Sequence, residues 1–157
     1  MLVSIDPGVK DCGVALWDDN ELAAAWLARG RAWDETSLIV KETLAQRVEG
    51  QVLRGGIVAI ERPKVYHQSK QRGDQRDIIS LAIFVGSVAT RLLSLGLQPV
   101  FYEPSAWKGS VPKDVMVERI KKKLSAEEHA RVDLPSPSLR HNVWDAVGIG
   151  LYHLKRR

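Results

Sequence analysis

Two short β-prone runs, each ended by an acid and a turn, constrain this chain more than any other feature. Residues 2–5 run into Asp6-Pro7-Gly8, and Ile57-Val58-Ala59-Ile60 runs into Glu61-Arg62-Pro63. The second run is wholly apolar and follows a helical segment. It therefore fits a strand buried on both faces in the middle of a sheet. Residues 13–17 form a second β-prone run, and Asp18-Asp19-Asn20 is a hairpin turn into a third at about residues 22–27, where the alanines leave a helix as the alternative. Residues 34–53 have helical spacing, with Leu38, Val40, Leu44, Val48 and Val52 apolar, until Arg54-Gly55-Gly56 stops them.

Downstream, residues 64–76 are polar and basic and read as a mobile loop or a frayed helix start. Residues 77–95 read as a strong helix, with Ile78, Leu81, Ala82, Val85, Val88, Ala89, Leu92 and Leu93 on one stripe and Gly96 as its stop. Residues 99–102 suit a strand, 103–111 a loop, and 112–124 a helix with Pro112 in its first turn. Ser125-Ala126-Glu127-Glu128 is a capping box, 133–138 a linker, and 141–154 the last helix. Three antiparallel strands followed by strands reached through helices predict an α/β fold. Its sheet is mixed and five-stranded, with helices on both faces.

With 157 residues, 45% of them apolar, the chain suits one domain spanning 1–157 with a real core. A lone cysteine, Cys12, excludes an intrachain disulfide framework and a four-cysteine zinc site, and its apolar setting reads as a small buried hydrophobe. The first residues lack the basic start of a signal peptide, and no run is long enough to span a bilayer. The expectation is a soluble protein of a reducing compartment, with no membrane partner.

The net charge of +4 is unevenly spread. Arg62, Lys64, Lys70, Arg72 and Arg76 form one cluster, Arg119 and Lys121-Lys122-Lys123 a second, and Lys155-Arg156-Arg157 a third. Any one of these alone is a solvated face; three in so short a chain point toward a polyanion, because neutralising phosphates releases counterions.

Asp6 and Glu61 end strands, and Asp145 lies in the apolar segment Val143-Trp144-Asp145-Ala146-Val147. Asp6 is equally a turn residue, and Glu61 equally a partner for Arg62 or Lys64. Should strands one and four be parallel neighbours, however, the acids meet outside their carboxyl ends. Carboxylates that close need a cation or a shared proton. Oxygen-only ligands select Mg²⁺ or Mn²⁺, and two such ions about 4 Å apart activate water and stabilise the leaving oxygen of a phosphodiester.

Ser4-Ile5-Asp6-Pro7-Gly8 with Cys12-Gly13-Val14-Ala15-Leu16, then Val58-Ala59-Ile60-Glu61, then Asp145-Ala146-Val147-Gly148-Ile149-Gly150 resemble, in order and spacing, the motifs of RuvC-like Holliday junction resolvases. The resemblance covers nearly the whole chain. It implies a ribonuclease H-like fold and a homodimer that makes paired, Mg²⁺-dependent nicks in four-way DNA junctions. The short, divergent chain looks more like a phage-borne or otherwise reduced member than a cellular housekeeping one, working in a bacterial or phage-infected cytoplasm.

Carried over, Asp6, Glu61 and Asp145 match three of the family's four acids. The fourth position is Asn142, and His141 shares its helix face with Asp145, so either is a substitute metal ligand or merely a helix cap. Lys108 matches a lysine facing the scissile region, and Lys113 a second. A cation there stabilises charge developing on the phosphoryl group. The family's base-stacking aromatic falls at Lys64 here; Tyr66 is the nearest aromatic, and His67 can also stack. The tryptophans read as core or dimer-contact residues. Residues 6–10 and 13–16 also resemble the YqgF-type fold, which implies RNA processing. A non-catalytic nucleic-acid scaffold is a third reading.

Overall fold

The computed structural model describes residues 1–48, 55–64 and 74–156. Its sheet has the order β3-β2-β1-β4-β5, built from β1 (Leu2–Asp6), β2 (Asp11–Asp18), β3 (Glu21–Arg29), β4 (Ile57–Glu61) and β5 (Gln98–Tyr102). The first three strands are antiparallel; β4 pairs parallel with β1, and β5 parallel with β4. The alanine-rich segment is therefore strand rather than helix. Its pairing with β2 and the burial of Ala24, Ala25 and Ala28 override weak strand propensity.

Six α-helices and a 3-10 helix (Pro137–Leu139) complete the described residues: α1 (Trp33–Arg47), α2 (Gln75–Leu93), α3 (Pro104–Trp107), α4 (Lys113–Lys121), α5 (Ala126–Ala130) and α6 (Arg140–His153). Strand alternation splits the core in two. Val3, Ile5, Val58 and Ile60 face α1 and α2, packing with Val40, Leu44, Phe84, Val88 and Leu92. Leu2 and Ala59 face the other way, onto α6 with Val143, Ala146, Val147 and Ile149. Cys12 is fully buried in the first of these cores, as its neighbours imply.

Several boundaries depart from the sequence reading. The described part of α1 ends at Arg47 with Val48 as its cap, and Val52 lies outside the described residues. Leu38 is exposed on α1, whereas Thr36 and Ser37 are buried because their hydroxyls find the Val9, Ala32 and Asp34 carbonyls. On α2, Leu93 and Ala82 face solvent and Phe84 takes the core position. Helix α2 starts where Asp74 accepts from the Arg76 amide, so Arg76 belongs to its first turn. Gly96, at φ 92°, ends it, and the Leu97 amide returns to the Leu92 carbonyl. The predicted loop at 103–111 contains α3, opened by Pro104. Pro112 is the cap of α4 rather than part of its first turn. The capping box of Ser125 and Glu128 is present at α5.

Candidate active site

Parallel pairing of β1 with β4 puts Ile5 beside Ile60, so Asp6 and Glu61 leave the sheet side by side at its carboxyl end. Alternation turns both toward the α6 face, since Asp6 shares parity with Leu2 and Glu61 with Ala59. Helix α6 is brought down on that face by a missing side chain. A Cβ on Gly13 would lie 1.9 Å from the Asn142 carbonyl oxygen, so only glycine lets the helix start rest on β2. Gly13 is the register partner of Asp6. One turn beyond Asn142, Asp145 enters the same space; it is the sole acid in a run of buried residues from Val143 to Leu151 and is itself 5% exposed.

The side chains then meet around Lys108. Its Nζ stands 3.3 Å from Glu61 Oε2 and 3.8 Å from Asp145 Oδ2. Glu61 Oε2 also accepts a 2.6 Å hydrogen bond from Trp107 Nε1. Burial, then the charges of Asp145 and Glu61, push the Asp6 carboxyl well above the usual carboxylate range, with Lys108 and Lys113 pulling the other way. Burial likewise raises Asp145, against Lys108, Lys113 and His141. Burial opposes the charge on Lys108, but Glu61, Asp145 and Asp6 outweigh it and hold its pKa above the ordinary lysine value. Asp145 and Glu61 act on Asp6, and all three act on Lys108, so the three acids share one electrostatic site.

Hard oxygen donors gathered in partial burial suit Mg²⁺ or Mn²⁺. Among the described residues no three His, Cys, Asp or Glu side chains form a ready-made metal cluster, and Lys108 lies between two of the acids. The donor set fits such ions in chemistry; its side chains would have to draw in around them.

The other predicted residues divide into groups. Lys113 and His141 lie close enough to act on Asp145. Asn142 is placed through its backbone against Gly13. Lys64 is paired with Glu103 at 2.8 Å, beside Arg62 on the same carboxylate; these partners hold Glu103 at about 2. Tyr66, His67, Lys70 and Arg72 lie outside the described residues.

Sequence reasoning missed Glu103 and Trp107. Glu103 gave no signal beyond ending β5 next to β4. Trp107 sat beside Lys108 but read as core or dimer contact. Trp17, Trp26 and Trp144 are indeed buried, whereas Trp33 is 38% exposed.

No protein-family model and no curated protein sequence matches the chain. Solved structures do. RuvC of T. thermophilus, in complex with a Holliday junction substrate, aligns with a TM-score of 0.63 at 18% identity, over 98% of this chain and 91% of that one. The fowlpox virus resolvase, in a Holliday junction DNA complex, aligns at 0.54 and 13% identity over 99% of both chains. The yeast mitochondrial Holliday junction resolvase Ydc2 aligns at 0.51 and 9% identity, over 98% of this chain and 80% of that one. The chain therefore has the ribonuclease H-like fold of the RuvC structures, three antiparallel strands continued by parallel ones, over nearly its entire length.

Proposed function

We propose that residues 1–157 form a single nuclease domain that resolves branched DNA, acting as a homodimer that makes paired nicks in four-way junctions. The observation that carries this reading is the convergence of Asp6, Glu61 and Asp145, from β1, β4 and α6, beside a half-buried lysine in a RuvC fold.

Asp6, Glu61 and Asp145 would hold two Mg²⁺ ions, or Mn²⁺ in their place, with His141 or Asn142 as a neutral ligand. Such ions supply an activated water and neutralise the leaving oxygen of a phosphodiester. Lys108 keeps its proton among three acids, which suits it to stabilise charge developing on a scissile phosphate. Lys113 opens α4, where backbone amides and helix dipole favour phosphate. Lys64 and Arg76, with Tyr66, Lys70 and Arg72 of the intervening segment, are the proposed path for a DNA arm.

A second copy has a surface to meet. Ile79, Ile83, Gly86, Thr90 and Leu93 fall at helical spacing on α2. Ile79 is 61% exposed, and both Ile83 and Leu93 are 46% exposed. A Cβ on Gly86 would touch nothing, so a partner helix can approach closely there. Among the described residues no helix is long and apolar enough to cross a membrane. A bacterial or phage-infected cytoplasm is the setting proposed for the protein.

The test is purified protein on labelled four-way, forked and linear DNA and on RNA, with Mg²⁺ and with chelator. Symmetric nicks confined to the junction and abolished by chelator are expected. RNA-selective cutting would replace this reading with an RNA-processing one, and junction binding without cutting in any divalent ion would replace it with a scaffold.

A further inference from the structure

Trp107 is the residue that joins two of the proposed metal-binding acids, and it does so through both edges of its indole. On one edge, Nε1 donates a 2.6 Å hydrogen bond to Glu61 Oε2. On the other, the six-membered ring sits in a notch of α6 made by the absent side chain of Gly148. A Cβ there would stand 2.6 Å from Trp107 Cζ3 and 3.3 Å from Cε3. Gly148 lies three residues beyond Asp145 and so on the same side of the helix. Ile120 of α4 closes the notch, its Cδ1 2.8 Å from the same hypothetical Cβ. The indole is rigid, so its two contacts tie the β4 acid to the helix bearing the third acid. Lys108, the next residue, caps the same short helix α3, and its Nζ stands 4.7 Å from the centre of the Trp107 ring.

We infer that Trp107 is a positioning residue: its indole, seated on Gly148, fixes the Glu61 carboxylate relative to Asp145 for divalent-ion binding. This rests on the proposed metal-dependent nuclease reading and adds a device to it. A carboxylate oxygen accepting from an indole N–H has one lone pair directed away from any ion, which leaves the Glu61 orientation defined before an ion arrives. Without that bond, Glu61 Oε2 retains only its contact with Lys108 among those described, and its rotamers are less restricted.

The experiment compares the wild type with Trp107→Phe, Trp107→His and Gly148→Ala in two measurements. The first is Mn²⁺ titration of the free protein, followed by the loss of the free-ion electron paramagnetic resonance signal. The second is single-turnover junction cleavage with separate determination of DNA affinity. Trp107→Phe keeps a ring in the notch and loses the N–H. It is expected to weaken Mn²⁺ binding by roughly 10-fold or more, the scale at which supporting partners of metal ligands act. It should slow cleavage similarly and leave junction affinity within about twofold of wild type. Trp107→His retains a ring N–H and recovers part of both losses. Gly148→Ala keeps the N–H but expels the ring, and should match Trp107→Phe.

Wild-type Mn²⁺ affinity and cleavage in Trp107→Phe overturn the inference while leaving the nuclease reading intact. Equal loss in Trp107→His and Trp107→Phe reduces Trp107 to packing and overturns it as well. A wild-type protein that neither binds Mn²⁺ nor cuts overturns the nuclease reading itself.

Discussion

Glu128 and Asp6 are carboxylates at opposite ends of the sheet, and their surroundings treat them in opposite ways. Glu128, 3% exposed, accepts from the Leu22 and Ser125 amides at 2.8 and 2.9 Å and from both terminal nitrogens of Arg156. The Arg156 guanidinium, helped by those amides, lowers Glu128 to about 2. Asp6 has burial and two neighbouring acids acting against its charge. One carboxylate is fully served by the fold and ties the C-terminus and α5 to the β2–β3 turn. The other lies among acids where α6, β1 and β4 meet, with Lys108 and Lys113 only partly offsetting burial and repulsion. Buried charge serves stability when its partners are built in. Where burial and like charges outweigh the nearby cations, as at Asp6, the surroundings weigh against the carboxylate's charge and mark a candidate site.

The contrast can be broken most sharply at Asp6. Asp6→Asn should slow junction cleavage by about 10³-fold or more, the several kcal/mol that metal-bound charge stabilisation supplies, with junction affinity retained. Wild-type cleavage in Mg²⁺ would remove Asp6 from the site. Glu128→Ala acts on the other member of the pair. Leaving Arg156 and two amides without their acceptor should cost about 3 kcal/mol, seen in urea unfolding, while cleavage per folded molecule at permissive temperature stays at the wild-type value. Its pH dependence has a fixed sign. Glu128 adds stability above its unfolded value of 4.5, and that contribution is lost as pH falls toward about 2. The Glu128→Ala deficit should therefore shrink in acid.

Gly13→Ala tests what brings the acids together. Pressing a methyl on the Asn142 carbonyl should destabilise the protein by about 2 kcal/mol and reduce cleavage in the survivors, because Asp145 rides on the displaced helix. Unchanged cleavage would show that α6 need not touch β2 for the site to work. The smallest effect is expected at Glu103, which neutralises Arg62 and Lys64 together. Glu103→Gln should steepen the salt dependence of junction binding by roughly one to two released ions. An unaltered slope would take both cations out of the interface.

Much of this was legible in the chain itself. The mixed five-stranded sheet, antiparallel first, followed from three β-runs with a hairpin turn and then runs separated by helices; its strand order did not. The sequence put Asp6 and Glu61 at the ends of two strands, but that they leave the sheet side by side depended on those strands being parallel neighbours, a pairing that comes from the structure. What the sequence did not disclose depends on tertiary contact. Trp107 reads as an ordinary apolar residue until the notch at Gly148 and the oxygen of Glu61 lie on either side of it. Glu103 reads as a loop acid until β5 settles beside β4 and aligns it with Arg62 and Lys64. The departures on α1 and α2 are of the same kind. Thr36 and Ser37 are buried because their hydroxyls find carbonyls, and Ala82 and Leu93 are exposed because no described element covers their side of the helix.

Thermal melting of the wild type and Asp6→Asn, in chelator and in excess Mg²⁺, tests most directly whether this site is held for a cation. A carboxyl raised in the folded state lends its stability below the unfolded value of 3.8 and loses it as pH rises through the folded one. Near neutral pH Asp6 therefore weighs against the fold. In chelator Asp6→Asn should melt above the wild type; Mg²⁺ should then raise the wild type and leave the variant nearly unmoved. A variant that melts below the wild type in chelator, with Mg²⁺ shifting both proteins alike or neither, would contradict the account.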